Sequence, residues 1–253
     1  MKPLLLITND DGYASKGLRT LCDIALEFGD VVVMAPEGNS SCLSHSLTPN
    51  RPLRVRTVSE SERLKIYACD GTPADCTKMA LENFCPTRPV LALAGINHGS
   101  NSSINVHYSG TMGAAIEASL NGLNSIGFSL LSHSADADFG GCIEPVRNII
   151  ADVLQNGLPV GIALNVNIPY IPASEIKGLK VCRAAQSNWH DSYQQRIDPV
   201  GRPYWWLTGK FVCDDLQPGS DEWALRNGYV SIVPTCTDFT HHSSIQQLSR
   251  RYE

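Results

Sequence analysis

Pro3-Leu4-Leu5-Leu6-Ile7-Thr8-Asn9-Asp10-Asp11-Gly12 is the stretch that decides the fold. Residues 3–8 form a continuous apolar run without polar alternation, as expected of a strand buried on both faces of a parallel sheet. Polar residues follow at once. In open α/β sheets ligands bind at the carboxyl ends of the strands, so Asp10 and Asp11 are the first candidates for chemistry. Adjacent carboxylates repel, and a cation or strong donors hold them most easily. The same residues could instead form an Asx turn and a helix cap; locally the two readings are not separable.

Further along, Leu18, Leu21, Cys22, Ala25 and Leu26 share one face of a helix expected over 16–28. Val31 to Ala35 is a second buried strand, and 37–50 a polar loop carrying Asn39-Ser40-Ser41. Strands are expected at 52–58 and 64–69. Thr72-Pro73-Ala74-Asp75 starts a helix running to about Phe84, with Thr72 as cap and Asp75 as its reciprocal partner. A strand at 90–94 ends at Gly95, and a loop over 96–108 holds Asn97, His98, Asn101 and Asn105. Ser109-Gly110-Thr111 opens a helix that ends at Gly122. A strand at 125–131, a helix at 142–155 and a strand at 160–168 complete the alternation. This order predicts a three-layer α/β/α, Rossmann-like core with a mostly parallel sheet over residues 1–170. Residues 171–253 are expected as an extension of the same single domain. All four tryptophans lie there, among polar loops and short strand-like runs, and exposed aromatic patches usually need a partner.

Composition narrows the function. The chain has 253 residues, a net charge of −5 and nine cysteines, none in a C-x-x-C pair. An acidic balance argues against a nucleic-acid duplex as partner. The first apolar run is too short for a signal-peptide core or a membrane span. With an odd cysteine count this leads to the expectation of reduced thiols and a cytoplasmic location. No G-x-x-x-x-G-K-[ST], G-x-G-x-x-G or G-x-S-x-G motif is present, which disfavours P-loop, dinucleotide and α/β-hydrolase chemistry. His241-His242 has no second cluster to support it.

Three strand ends carry polar sets: Asp10-Asp11, Asn39 with Ser41, and Asn97 with Asn101. All their donors are oxygen atoms except the amide nitrogens, which suits a hard cation such as Mg²⁺ or Mn²⁺. Ser109-Gly110-Thr111 sits at a helix start, where free N–H groups and the helix dipole favour an anion. Together they point to a phosphatase using one divalent metal. A receiver-like phosphoacceptor, in which paired acids bind Mg²⁺ without turnover, and a nucleotide-binding module without chemistry are the alternatives.

Several ordered motifs then resemble the SurE family: Ile7-Thr8-Asn9-Asp10-Asp11-Gly12, Ala35-Pro36 with Asn39 and Ser41, Ser46-Leu47-Thr48, Gly71-Thr72-Pro73-Ala74-Asp75-Cys76, Gly95-Ile96-Asn97 and Tyr108-Ser109-Gly110-Thr111. The resemblance continues through Asn165-Val166-Asn167-Ile168-Pro169 to the Gly228-Tyr229-Val230-Ser231 run. It implies a metal-dependent phosphatase of nucleoside 5′- and 3′-monophosphates, with some members trimming short polyphosphate. It implies Asp10, Asp11, Ser41 and Asn97 as metal ligands, with the two acids also catalytic. Asn39, Asn101, Ser109, Gly110 and Thr111 would surround the phosphate. It further implies a C-terminal arm or hairpin with a terminal helix, joining subunits into a homodimer or homotetramer. Two departures stand out. Glu37-Gly38 and Ser40 occupy positions where many members carry Asp-Arg and Arg, and Cys42 replaces a usual glycine.

Overall fold

The computed structural model describes residues 2–252. Its elements follow the chain as β1 (Leu4–Thr8), α1 (Lys16–Ala25), β2 (Asp30–Pro36), β3 (Val55–Glu60), β4 (Leu64–Cys69), α2 (Pro73–Met79), β5 (Leu91–His98) and α3 (Gly110–Leu120). Next come β6 (Asn124–Leu130), α4 (Ile143–Asn156), β7 (Ile162–Ile168), β8 (Leu179–Val181), β9 (Asn188–Ile197), β10 (Pro203–Val212), α5 (Asp221–Arg226), β11 (Val230–Cys236) and α6 (His242–Tyr252).

One sheet has the strand order β3-β4-β2-β1-β5-β6-β7-β11-β8, and β9 and β10 form a separate antiparallel hairpin. Strands β4, β2, β1, β5, β6 and β7 pair in parallel. The expected mostly parallel α/β architecture is therefore present. Period two assigns the faces. Leu5 and Ile7 of β1 pack with Val33, Phe128, Val146 and Ile150 beneath α1 and α4. Leu4 and Leu6 point the other way, toward Val32, Met34, Cys76 and Ala118 beneath α2 and α3.

The chain order reverses at β1: β2 and β4 lie on one side, β5, β6 and β7 on the other. The crevice outside the carboxyl ends at such a switch point is where open sheets bind ligands.

Several boundaries differ from the sequence expectation, each for a local reason. Helix α1 ends at Ala25, because the last turn tightens: the amides of Glu27 and Phe28 donate three residues back, to Ile24 and Ala25. Strand β5 does not stop at Gly95. It bulges, its register against β6 shifting between Ala94 and Asn97, and continues to His98. Gly95 (φ +120°) makes this possible, since a Cβ there would stand 2.3 Å from the Phe128 carbonyl oxygen. A bulge re-aims side chains, and here it moves Asn97 from an expected loop onto the strand end. Strand β3 begins at Val55 and is an exposed edge strand bearing its own bulge.

Candidate active site

The site begins with the turn after β1. Asn9 closes it, its side-chain amide donating to Gly12 O (3.0 Å) and Ser15 Oγ (2.8 Å). Gly12 takes φ +98°, the left-handed region that favours glycine. The Tyr13 amide donates to Pro36 O (2.9 Å) and the Ser40 amide to Asp10 O (2.7 Å). These two bonds dock the loop after β2 against the acids and bring Ser41 beside them.

Asp10 is buried. Its Oδ1 accepts from Thr111 Oγ1 (2.5 Å) and its Oδ2 from the Thr111 amide (3.1 Å). Gly110 is what lets helix α3 come so near: a Cβ there would lie 2.9 Å from both Cβ and Oδ2 of Asp10. Burial pushes the Asp10 carboxyl up to about 6, outweighing the Thr111 bonds that pull it down. Asp11 accepts from the His98 amide at 3.1 Å, and burial likewise raises it. Among the described residues neither acid makes an ion pair with Lys, Arg or His. Two poorly hydrated carboxylates with no ion-pair partner, Asp11 eased only by the nearby His98 and His133, are an arrangement that a bound cation stabilises.

The remaining oxygen donors fit that cation. The Asn97 side-chain amide donates to Gly99 O (2.8 Å), which leaves its carbonyl oxygen as the unused atom. Ser41 donates its hydroxyl and its amide to Asn39 Oδ1, at 2.5 and 2.7 Å, an Asx turn that presents the Ser41 oxygen lone pairs. Asp10, Ser41 and Asn97 line one cavity of about 630 Å³. Two carboxylates, an amide and a hydroxyl make an all-oxygen set of the kind Mg²⁺ or Mn²⁺ takes, completed by water or substrate. Among the described residues no three His, Cys, Asp or Glu side chains gather to hold a metal, so this set depends on its neutral donors.

The phosphate candidates occupy unequal positions. Ser109 caps α3, its hydroxyl accepting from the Met112 amide at 3.0 Å, and lines the cavity with Asn101. Asn101 is fixed from three directions: Ser129 Oγ accepts from its side chain, Asn167 Oδ1 from its amide, and its carbonyl accepts from Asn165, each at 2.8 Å. Both donors of Thr111 go to Asp10. Asn39 lies outside the cavity lining, with its carbonyl engaged by Ser41. Cys42 takes φ +62°. His241 and His242 are exposed and pair with Ser244 and Asp238.

Sequence reading missed half of the cavity wall. His98 and His133 line it near Asp11, Tyr108 lines it before α3, and Trp189, Asp191, Leu207 and Gly209 line it from the hairpin. Trp189, Asp191 and Tyr193 lie on one face of β9, two residues apart, but the strand is exposed on both faces, so the alternation carries no hydrophobic mark.

The family model described as "Survival protein SurE" matches residues 5–191. The "5'-nucleotidase SurE" of Christiangramia forsetii is 50% identical over 98% of this chain and 96% of that protein. That of Cytophaga hutchinsonii is 47% identical over 100% and 98%. The crystal structure of the SurE protein from Aquifex aeolicus superposes with a TM-score of 0.85 at 35% identity, covering 99% of this chain and all of that one. With the motifs spread along the whole chain and relatives matching it end to end, this protein belongs to the SurE family.

Proposed function

We propose that the cavity is the active site of a divalent-metal-dependent 5′-nucleotidase, which hydrolyses nucleoside 5′-monophosphates, and 3′-monophosphates as well, to nucleoside and phosphate. The observation that carries the reading is the convergence of Asp10, Ser41 and Asn97 on one cavity at the switch point of the sheet. Names of relatives that carry 5′-nucleotidase activity support it. Asp10, Asp11, Ser41 and Asn97 hold one Mg²⁺ or Mn²⁺ per subunit. When bound, that ion neutralises phosphoryl charge and acidifies water for in-line attack.

The chain's own residues do the rest. Thr111 fixes the Asp10 carboxylate through two bonds, so its oxygens are oriented before substrate arrives. The start of α3 at Ser109 and Gly110, with Asn101 lining the same cavity, surrounds the phosphate, and the helix dipole supports charge on its equatorial oxygens. One of the two acids takes the proton lost by the attacking water. Short polyphosphate is a secondary substrate. Residues 1–170 supply the catalytic part; residues 171–253 supply the contact between subunits of a homodimer or homotetramer. The β9–β10 arm, exposed along nearly its whole length with Trp205, Trp206 and Tyr193 open to solvent, supports that role. The protein works in the cytoplasm; no helix among the described residues is long and apolar enough to cross a membrane.

A receiver-like phosphoacceptor would need a third carboxylate at the end of β5, where this chain has Asn97. The test is phosphate release from nucleoside monophosphates, sugar phosphates and polyphosphate with several divalent ions. Release from nucleoside monophosphates that stops in excess chelator is expected; full release in excess chelator contradicts the reading.

A further inference from the structure

The metal and phosphate groups occupy one end of the cavity and leave the far wall unexplained. One face of the β9–β10 hairpin builds that wall. Trp189 and Asp191 stand opposite Phe211 and Gly209, with Leu207 next along β10. Alternation along the strands places all five on the same face.

The indole of Trp189 is held in place before any ligand arrives. Its Nε1–H donates to Asn105 Oδ1 at 2.8 Å, and the Phe211 ring lies 5.7 Å away at 59°. Asn105 is itself fixed: its amide donates to Ser102 O (3.1 Å) and its carbonyl accepts from the Tyr108 amide (3.0 Å). Yet 36% of Trp189 remains exposed. A flat ring anchored at its edge and open to a cavity is a stacking platform, because little ordering remains to be done on binding.

Asp191 is the second feature. Among the described residues its carboxylate makes no ion pair, and no donor is found on it. Gly209 keeps the space before it clear, since a Cβ there would lie 3.3 Å from Asp191 Oδ1 and 3.0 Å from His190 O. An open carboxylate accepts hydrogen bonds from hydroxyl or amine groups and repels a phosphoryl group.

We propose that this hairpin face is the nucleoside subsite: the base stacks on Trp189, a ribose hydroxyl donates to Asp191, and the Asp191 charge turns away a second phosphoryl group. The proposal rests on the nucleotidase reading and adds the element that selects a nucleoside monophosphate over polyphosphate.

The experiment compares kcat/KM for AMP, β-glycerophosphate and tripolyphosphate, with Mn²⁺ present, across the unmutated chain and four variants. Trp189→Ala lowers the AMP-to-glycerophosphate ratio about 10-fold, chiefly through KM, the size of one base stack. Trp189→Phe restores most of that ratio. Asn105→Ala, which frees the indole and leaves the hairpin sequence intact, shifts it the same way by a smaller factor. Asp191→Asn raises the tripolyphosphate-to-AMP ratio about 3-fold, as expected for removal of a solvent-screened charge. An AMP-to-glycerophosphate ratio unmoved by both Trp189→Ala and Asn105→Ala overturns the proposal, whatever the absolute rates. Absence of phosphate release by the unmutated chain overturns the nucleotidase reading and this proposal with it.

Discussion

At one end of the cavity stand Asp10, Asn97 and Asn101, all buried, near the carboxyl edge of the central sheet. At the other end stand Trp189, Asp191 and Leu207, on a hairpin whose strands are exposed along nearly their whole length. The first end is held by bonds between residues far apart in the chain, such as Asp10 to Thr111, and by close approaches that only glycine permits at Gly110. The second is held by hairpin pairing and one indole-to-Asn105 bond. A rigid floor fixes the geometry of the chemistry, while a wall on a separate element is free to vary with the substrate.

Stability separates the two ends most sharply. Phe128→Ala, in the core beneath the floor, is expected to cost about 3–5 kcal/mol in urea unfolding. Trp205→Ala on the arm is expected to change stability by less than about 0.5 kcal/mol at concentrations where the chain is monomeric. Equal losses would mean that the arm is part of the folding unit.

Activity comes next. Asp10→Asn or Asp11→Asn is expected to lower kcat by at least about 100-fold, the loss typical of a key electrostatic group. Steady-state phosphate release measures it, and excess chelator should have the same effect on the unmutated enzyme. A variant within a few-fold of the original would place the chemistry elsewhere.

A smaller effect tests what fixes the floor. Thr111→Val keeps the shape of the side chain and removes the hydroxyl bond to Asp10. A charge-assisted bond of this kind is worth about 1.5–3 kcal/mol, so kcat should fall about 10-fold or more, and Thr111→Ser should recover it.

The smallest effects concern the loop that carries Ser41. His45 of this loop bonds Glu117 of α3 at 2.7 Å, and Lys78 bonds the same carboxylate at 2.9 Å. Burial raises the Glu117 carboxyl, but the Lys78 and His45 bonds outweigh it and hold the group below its ordinary value. A depressed carboxylate contributes stability that is complete above its unfolded pKa and is lost as pH falls through the folded one. Unfolding free energy should therefore drop more steeply below about pH 4.5 in the unmutated chain than in Glu117→Gln. Cys42→Gly relieves a left-handed residue next to Ser41 and should stabilise by about 0.5–1 kcal/mol; a destabilised variant would show that the thiol packs usefully.

The floor was legible in sequence because its determinants are local. Buried parallel strands announce themselves as unbroken apolar runs, and residues closing those runs, Asp10 after β1 and Asn97 after Gly95, line the cavity, with Asp11 next in the chain to the first of them. Helix α2 was legible for the same reason: Thr72 and Asp75 form the expected reciprocal cap. What sequence did not carry is geometry set at a distance. Nothing near Thr111 says that both its donors turn back to a carboxylate 101 residues earlier. The bulge at Gly95 moves Asn97 onto the strand, because a glycine there signals close backbone approach without saying what approaches. The hairpin wall was hidden for a further reason. Its residues are exposed, so the alternation of Trp189, Asp191 and Tyr193 has no buried face to mark it as a strand, and its relation to the cavity is tertiary.

The central claim is that Asp10, Asp11, Ser41 and Asn97 share one cation. Crystals grown with Mn²⁺ and measured at the manganese absorption edge test it most directly. The account predicts a single strong anomalous peak within coordination distance of all four side chains. No peak there at saturating Mn²⁺, or a peak bound by other residues with these four apart from it, would contradict it.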